Sequence, residues 1–414
     1  MIESLYNDRT LFSDDTSIQQ GEVRHKFRKL KINTIFGKIK LTRTYVHHSP
    51  SKTGRFPLDE KLGLEGHYTP ALARLVCRAA SMSASFSQGA EDLAIFAGIE
   101  VCPRQFGRLA DSIDPGLEKA LAQITAPPEA LQAADGVPVL YLECDGTGTP
   151  MRKEELKGRK GKQEDGSSKT REAKLGCVFT QTNTTEKGKP IRDHKSTSYV
   201  GTFGDCREIA VLLRQEALRR GVGKAEQVVF IGDGAAWIWK NCELTFPEAV
   251  QILDYYHASE YVVEIARAVH GVDKQKAKEL HERWTVNMKQ SSPAALILET
   301  YTLLGEHPEW SEERRTLIRD KIKYLENHRD RTRYGEYQAA GYFIGSGVIE
   351  AGCKTVVGKR LKQSGMFWSE QGAQNILGLR CLMLGPHFDE AWRIRRELLE
   401  EERRRARRWL TAAA

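Results

Sequence analysis

The sequence predicts an α/β protein in which one central sheet is interrupted by a long helical insertion. Three observations predict it. The short apolar runs "VPVLYLECD", "QVVFIGD" and "AVQILD" read as buried strands, each ending in an aspartate. An amphipathic stretch from Gly204 to Arg220 reads as the helix between the first and second of them. The run from His257 to about Asn327 is helical and heavily charged, too long to be a loop inside a compact core.

Composition sets the outer bounds. A chain of 414 residues accommodates two or three domains, and a hydrophobic share of 40% is ample for a buried core. The net charge of +8 permits nucleic-acid binding without requiring it. Eight cysteines are scattered with no CxxC pair, which argues against a zinc ribbon and a disulfide framework and for reduced thiols. No apolar run approaches the roughly 20 residues of a membrane span. The start, "MIESLYNDRT", lacks the basic-then-apolar order of a secretion signal, so a cytoplasmic location and no membrane partner are expected.

The elements follow in order. "KLKINTIFGKIKLTRTYV" alternates apolar and polar residues on both sides of Gly37, predicting a β-hairpin with Ile32, Thr34 and Phe36 before the turn and Ile39, Leu41 and Tyr45 after it. Residues 1–68 form this arm and hairpin, and 69–130 a helical region. Within the latter, "SQGAEDLAIFAGIEVCPRQFGRLADSI" reads helix, turn at Gly98, second helix from near Pro103. It is either a helix-turn-helix, with Arg104 and Arg108 on the groove-entering helix, or an ordinary packed helical hairpin, and Cys102 is a poor N-cap for the former. "ITAPPEALQAADGVP" is a linker. "VPVLYLECD", "AKLGCVFTQT" and "KSTSYVG" are three strands, followed by a helix, "QVVFIGD", a second helix and "AVQILD". That order matches a ribonuclease H-like core, its first part over 131–257 and its last over 336–385, with a helical insertion over 258–335. Residues 386–414 form a basic C-terminal helix whose Arg403 to Arg408 cluster is a solvated helix end or a phosphate contact.

Three carboxylates stand out. Asp145 in "ECDGTGTP" and Asp233 in "FIGDGAAWIW" share one design: buried strand, aspartate at its carboxyl end, then glycine, which lets a ligand approach the backbone. A single such Asp-Gly is usually a turn. Glu350 is the lone acid in "IGSGVIEAGCKTVVGKRLKQSGMFW", on a helix with Ser346 as N-cap. Converging carboxylates repel unless a cation joins them, and hard oxygen ligands with open positions suit Mg²⁺. Two ions, Mg²⁺ or alternatively Mn²⁺, held by Asp145, Asp233 and Glu350 would serve phosphoryl transfer. Lys354, Lys359, Arg360 and Lys362 would hold DNA phosphates beside them, and Trp368 would stack on an unpaired base. Asp254 and His257 in "DYYH" are either a packing pair or a further part of the site, with His257 contacting the scissile phosphate. Trp237 and Trp239 read as core. The polar loop "MRKEELKGRKGKQEDGSSKTREAK" either covers the strand at the site or is simply solvated.

The stretch "YLENHRDRTRYGEYQAAGYFIGSGVIEAGCKTVVGKRLKQSGMFWSEQGAQNILGLR" resembles the C-terminal signature of ISKra-type insertion-sequence transposases. "ECDGTGTPM", "VVFIGDGAAWIW" and "FPEAVQILDYYHASEYV" are similar to the same family in the same order. The resemblance runs from about Thr34 onward and is most specific between Asp145 and Arg380. It implies a DDE transposase of a bacterial insertion sequence, with Asp145, Asp233 and Glu350 as the catalytic triad. It also implies that the N-terminal region binds transposon ends, with double-stranded DNA, both ends and target, as partner and association with the nucleoid when bound; pairing two ends calls for a homodimer or higher oligomer, though the sequence leaves that state open. Mutator-like transposases show a similar acid-x-x-His after the second carboxylate, which implies a role for His257. One departure is "YVHHSPSKTGRFPLDE", where the family's cysteine-bearing motif is missing. The competing readings are a transposase-derived DNA-binding protein without catalysis, and a nuclease that hydrolyses but never joins.

Overall fold

The computed structural model describes residues 1–8, 22–49, 52–125, 137–161 and 168–412, with the backbone alone for 406–412. The linker stretch 126–136, residues 162–167 of the predicted covering loop and the side chains of the arginine cluster beyond Arg405 lie outside the described residues.

A short helix α1 (Ile2–Tyr6) precedes the hairpin β1 (Glu22–Thr34) and β2 (Gly37–His48), to which β3 (Thr53–Arg55) adds as a third antiparallel strand. Ile32, Ile39 and Leu41 are buried, in line with the alternation, and with Leu58 from α2 (Pro57–Lys61) and Leu64 they form a small apolar core. Phe36 departs from the expectation: it falls in the turn and is 65% exposed. Helices α3 (Pro70–Met82), α4 (Phe86–Ala97) and α5 (Pro103–Leu121) follow, and Gly98, in the left-handed region at φ +63°, ends α4.

The main sheet is built from β4 (Val137–Pro150), β5 (Thr170–Gln181), β8 (Ser198–Thr202), β9 (Ala225–Gly232) and β10 (Val250–Leu253), with a two-stranded ribbon, β6 (Asn183–Thr184) and β7 (Pro190–Ile191), after β5. Its spatial order is β10-β9-β4-β5-β8. β10, β9 and β4 are parallel; β5 is antiparallel to β4, and β8 to β5. α6 (Cys206–Arg219) joins β8 to β9, and α7 (Ala236–Thr245) joins β9 to β10. β4 runs past its expected end at Asp145 to Pro150, because β5 keeps pairing with it after β9 has stopped at Gly232.

Helices α8 (Tyr255–His270), α9 (Lys274–Gln290), α10 (Ala294–Glu306) and α11 (Glu312–Asn327) occupy the predicted charged helical run, and α12 (Tyr334–Ala339) leads back towards the sheet. One continuous helical stretch then holds α13 (Gly347–Gly352), a π-helical segment over Cys353–Gly358 and α14 (Lys359–Leu361). α15 (Glu370–Leu384) and α16 (Phe388–Ala412) complete the chain. α6 and α7 cover one face of the sheet, where Leu213 lies against Gly176 and Ile238 against Gly232. α13 and α15 cover the other, where Gly352 lies on Leu175 and Tyr199, and Leu377 on Gly201. α5 packs on α3, α4, α15 and α16, so a single apolar core runs from Leu72 to Ile394.

Candidate active site at the carboxyl ends of three parallel strands

The register of the parallel strands builds the site. Cys144 of β4 pairs with Gly232 of β9, and Gly232 with Leu253 of β10. One residue further on, Asp145, Asp233 and Asp254 therefore stand side by side, about one strand spacing of ~4.8 Å apart in backbone position. Strand carboxyl ends are where open sheets bind ligands.

The three aspartates are held differently. Asp145 accepts the Gly146 N–H on Oδ1 at 2.6 Å and the Cys353 thiol on Oδ2 at 3.4 Å. Burial raises its carboxyl above the usual range, the Cys353 and Gly146 hydrogen bonds oppose that rise, and the Asp233 charge adds to it. Asp233 accepts the Ala235 N–H on Oδ1 at 2.8 Å. Asp254 is 1% exposed and fully engaged. Its Oδ1 caps α8 through the His257 N–H at 2.7 Å, while Oδ2 takes both the N–H and the hydroxyl of Ser346 at the start of α13.

A second buried carboxylate ties α13 to the sheet. Glu143 lies two residues before Asp145 on the same strand face and is fully buried. Its Oε2 accepts the Ile349 N–H at 2.7 Å, and its Oε1 has no partner among the described residues. Burial pushes it up to about 8. Asp254 and Glu143 thus grip the first turn of α13 from two strands, and Glu350 is the next residue after Ile349. Glu350 itself is exposed, with the Ser346 hydroxyl 3.5 Å from its Oε1. Ser346 occupies the expected N-cap position, yet its hydroxyl goes to Asp254 and Glu350 and makes no capping bond to a backbone N–H.

The π-helical segment follows directly. Such segments release backbone carbonyls from the regular ladder and are frequent at functional sites. Here the released groups find Arg380, which is 3% exposed and donates to the carbonyls of Thr355 and Val356 and, on the other side, to Ser81. The wider turn brings Cys353 onto Asp145 and carries Lys362 to the Thr147 hydroxyl.

The expected phosphate-binding residues divide. Lys354, Lys359 and Lys362 are exposed, as are Arg104 and Arg108 on α5. Arg360 is not a phosphate ligand: it is fully buried, donates to the Ala80 carbonyl at 2.9 Å and lies 4.6 Å over the Phe86 ring and 4.9 Å over the Trp368 ring. Trp368 is not a base-stacking platform either. It is 7% exposed, its indole N–H donates to the Leu361 carbonyl at 3.2 Å, Arg360 lies over its ring and Phe86 packs against it in a T-shaped contact. Alternation of charge along a sequence does not reveal which basic side chain points inward. Trp239 is core at 4% exposure, as expected, and Trp237 is half-buried with Lys174 5.8 Å over its ring.

His257 is partly exposed, 3.8 Å from Glu260, and its ring edges meet Tyr261 and Tyr324. Tyr324 is a further member of the site. It stacks on Tyr261 at 3.7 Å, and its buried hydroxyl sits over Gly234, where a Cβ would strike it, without a hydrogen-bond partner among the described residues. Burial, then the neighbouring Tyr261 and Asp233, raise its phenol. It comes from α11, some ninety positions after Asp233, and no local pattern marks it. Among the described residues no group of three or more His, Cys, Asp or Glu is placed to hold a metal ion. Asp145 and Asp233 are brought together; Glu350 is held on their side of the sheet without completing a three-ligand cage.

Residues 7–389 match UPF0236, described as an uncharacterised protein family. The chain belongs to UPF0236. No curated protein matches this UPF0236 chain. Among solved structures it is similar to the Drosophila P element transposase strand transfer complex at 9% identity and a TM-score of 0.26, over 78% of this chain and 80% of that one, a likeness too slight to fix a fold. No described helix of this UPF0236 member is long and apolar enough to cross a membrane.

Proposed function

We propose that this UPF0236 protein is a DDE transposase of a bacterial insertion sequence, with a ribonuclease H-like core that cleaves element ends and joins them to target DNA. The observation that carries the reading is the placement of Asp145 and Asp233 one residue beyond the last pair, Cys144 with Gly232, of the parallel strands β4 and β9, under a helix that bears Glu350. The sheet supports it too: three strands in sequence, then two parallel strands added on the far side of the first, give the order expected for such a core. The sequence motifs that resemble ISKra-type transposases fall on these same elements.

The donor set fits a hard divalent ion in part. Asp145 and Asp233 offer carboxylate oxygens, and burial together with Asp233 raises Asp145, the situation a cation relieves. Mg²⁺, or Mn²⁺, when bound would supply Lewis acidity and an activated oxygen nucleophile. Asp145 and Asp233 would hold it, and Glu350 would join when DNA seats. Lys362, on the Thr147 hydroxyl, and the exposed Lys354 and Lys359 would orient the phosphate backbone, and His257 would contact the scissile phosphate.

The test uses the full chain, DNA carrying the element's ends, and Mg²⁺. Wild type nicks the ends and forms strand-transfer joints. Asp145→Asn and Asp233→Asn should each abolish both products while gel-shift affinity stays within about twofold, and Glu350→Gln should do the same. Full cleavage by either aspartate variant would overturn the assignment. Binding without any wild-type nicking would favour a transposase-derived DNA-binding protein.

A further inference from the structure

At the β8 edge of the sheet, two strands away from β4, lies a cleft of about 280 Å³ between α5, α6, β8 and α15. Its lining mixes polar side chains with an aliphatic strip that includes Leu121, Leu212 and Leu382. Three acids face it: Asp114 and Glu118 from α5, and Glu208 from α6.

Asp114 is the unusual one. It is 1% exposed, and its Oδ1 has no hydrogen-bond partner among the described residues. Burial pushes its carboxyl well up, and Glu118 and Asp111 push it further. Glu118 is raised by burial and then by Glu208. Arg219, the cation in the lining, is committed elsewhere: it pairs with Glu216 at 2.8 Å and donates to the Leu121 carbonyl at 3.4 Å. A buried carboxyl with an unmatched oxygen is costly, and in native proteins such a group calls for a missing partner. A cationic partner would satisfy the unmatched Asp114 oxygen and relieve the charge that Glu208 places on Glu118. Hydrocarbon in the partner would pack on Leu121, Leu212 and Leu382, contacts that an aquo-ion would leave unused.

We propose that this cleft binds a small aliphatic diamine, with one ammonium on Asp114, the alkyl chain along Leu121, Leu212 and Leu382, and the second ammonium at the mouth between Glu118 and Glu208. The site is separate from the strand-end aspartates and does not depend on their function.

Isothermal titration of the full chain with 1,4-diaminobutane, and with 1,4-butanediol as the uncharged match, tests it. The diamine should bind with saturable heat, and the diol at least about tenfold more weakly. Asp114→Asn and Glu118→Gln should each weaken the diamine by about tenfold or more at unchanged far-ultraviolet circular dichroism. Glu118 is on the surface, so its variant keeps the test valid should the Asp114 variant misfold. No saturable binding, or equal binding by wild type and the Glu118→Gln variant, would overturn the proposal.

Discussion

Buried charge decides much of this molecule residue by residue. Glu216 is 1% exposed and meets Arg219 at 2.8 Å and the His387 ring at 3.0 Å. Burial opposes its ionisation, but the His387 hydrogen bond and the charges around it hold the carboxyl at about 2. Its folded value is thus depressed below the ordinary one. The stability it contributes is present above about pH 4.5 and drains away as pH falls towards 2. Thermal melts from pH 6 to 2 should show that loss in wild type and a flatter profile in Glu216→Gln, which should also lose about 3–5 kcal/mol at neutral pH by leaving Arg219 unpaired. Arg360 and Lys359 are neighbours, one buried and the other exposed. Arg360→Ala should cost about 2 kcal/mol or more of stability through the orphaned Ala80 carbonyl and lost packing. Lys359→Ala should leave stability alone and reduce the salt slope of DNA binding by about 1.

At the scale of elements, α13 is a helix of six residues that could not persist alone. Its position comes from Asp254 and Glu143 gripping its first turn and from Gly352 lying flat on the sheet. A Cβ at Gly352 would come 2.8 Å from the Tyr199 ring and 3.1 Å from Leu175. Gly352→Ala should therefore lift the helix, cost about 1–3 kcal/mol in a denaturant melt, and lower strand cleavage more than DNA binding. Equal loss of both would argue that α13 serves binding alone. The π segment belongs to this logic, since its extra residue per turn aligns Cys353 with Asp145 and leaves carbonyls that Arg380 satisfies.

On the scale of the whole molecule, two apolar cores are separate among the described residues. The larger joins α3 and α5 to the sheet and to α15 and α16; the smaller holds the hairpin, with Ile32 and Leu41 at its centre. Hydrogen exchange should find the hairpin amides opening at lower free energy than β4, β5 and β9, which should exchange together with α5. Protection of α5 well below that of β4 would show that the helical region melts on its own.

The strands, the hairpin, the long helical run and the aspartates that follow β9 and β10 were legible in the sequence, because periodicity of apolar residues and turn chemistry act over a few neighbouring positions; the run of β4 beyond Asp145 to Pro150 was not. Nor was register. That Asp145, Asp233 and Asp254 line up, that Asp254 spends both oxygens on helix starts, and that Arg360 and Trp368 face inward are consequences of packing between segments far apart in sequence, 280 positions in the case of Arg360 and Ala80. Glu143 looked like an ordinary strand residue, and Tyr324 one more aromatic on a charged helix. Only the closed tertiary structure strips water from them, and loss of water is what turns a polar side chain into a constraint.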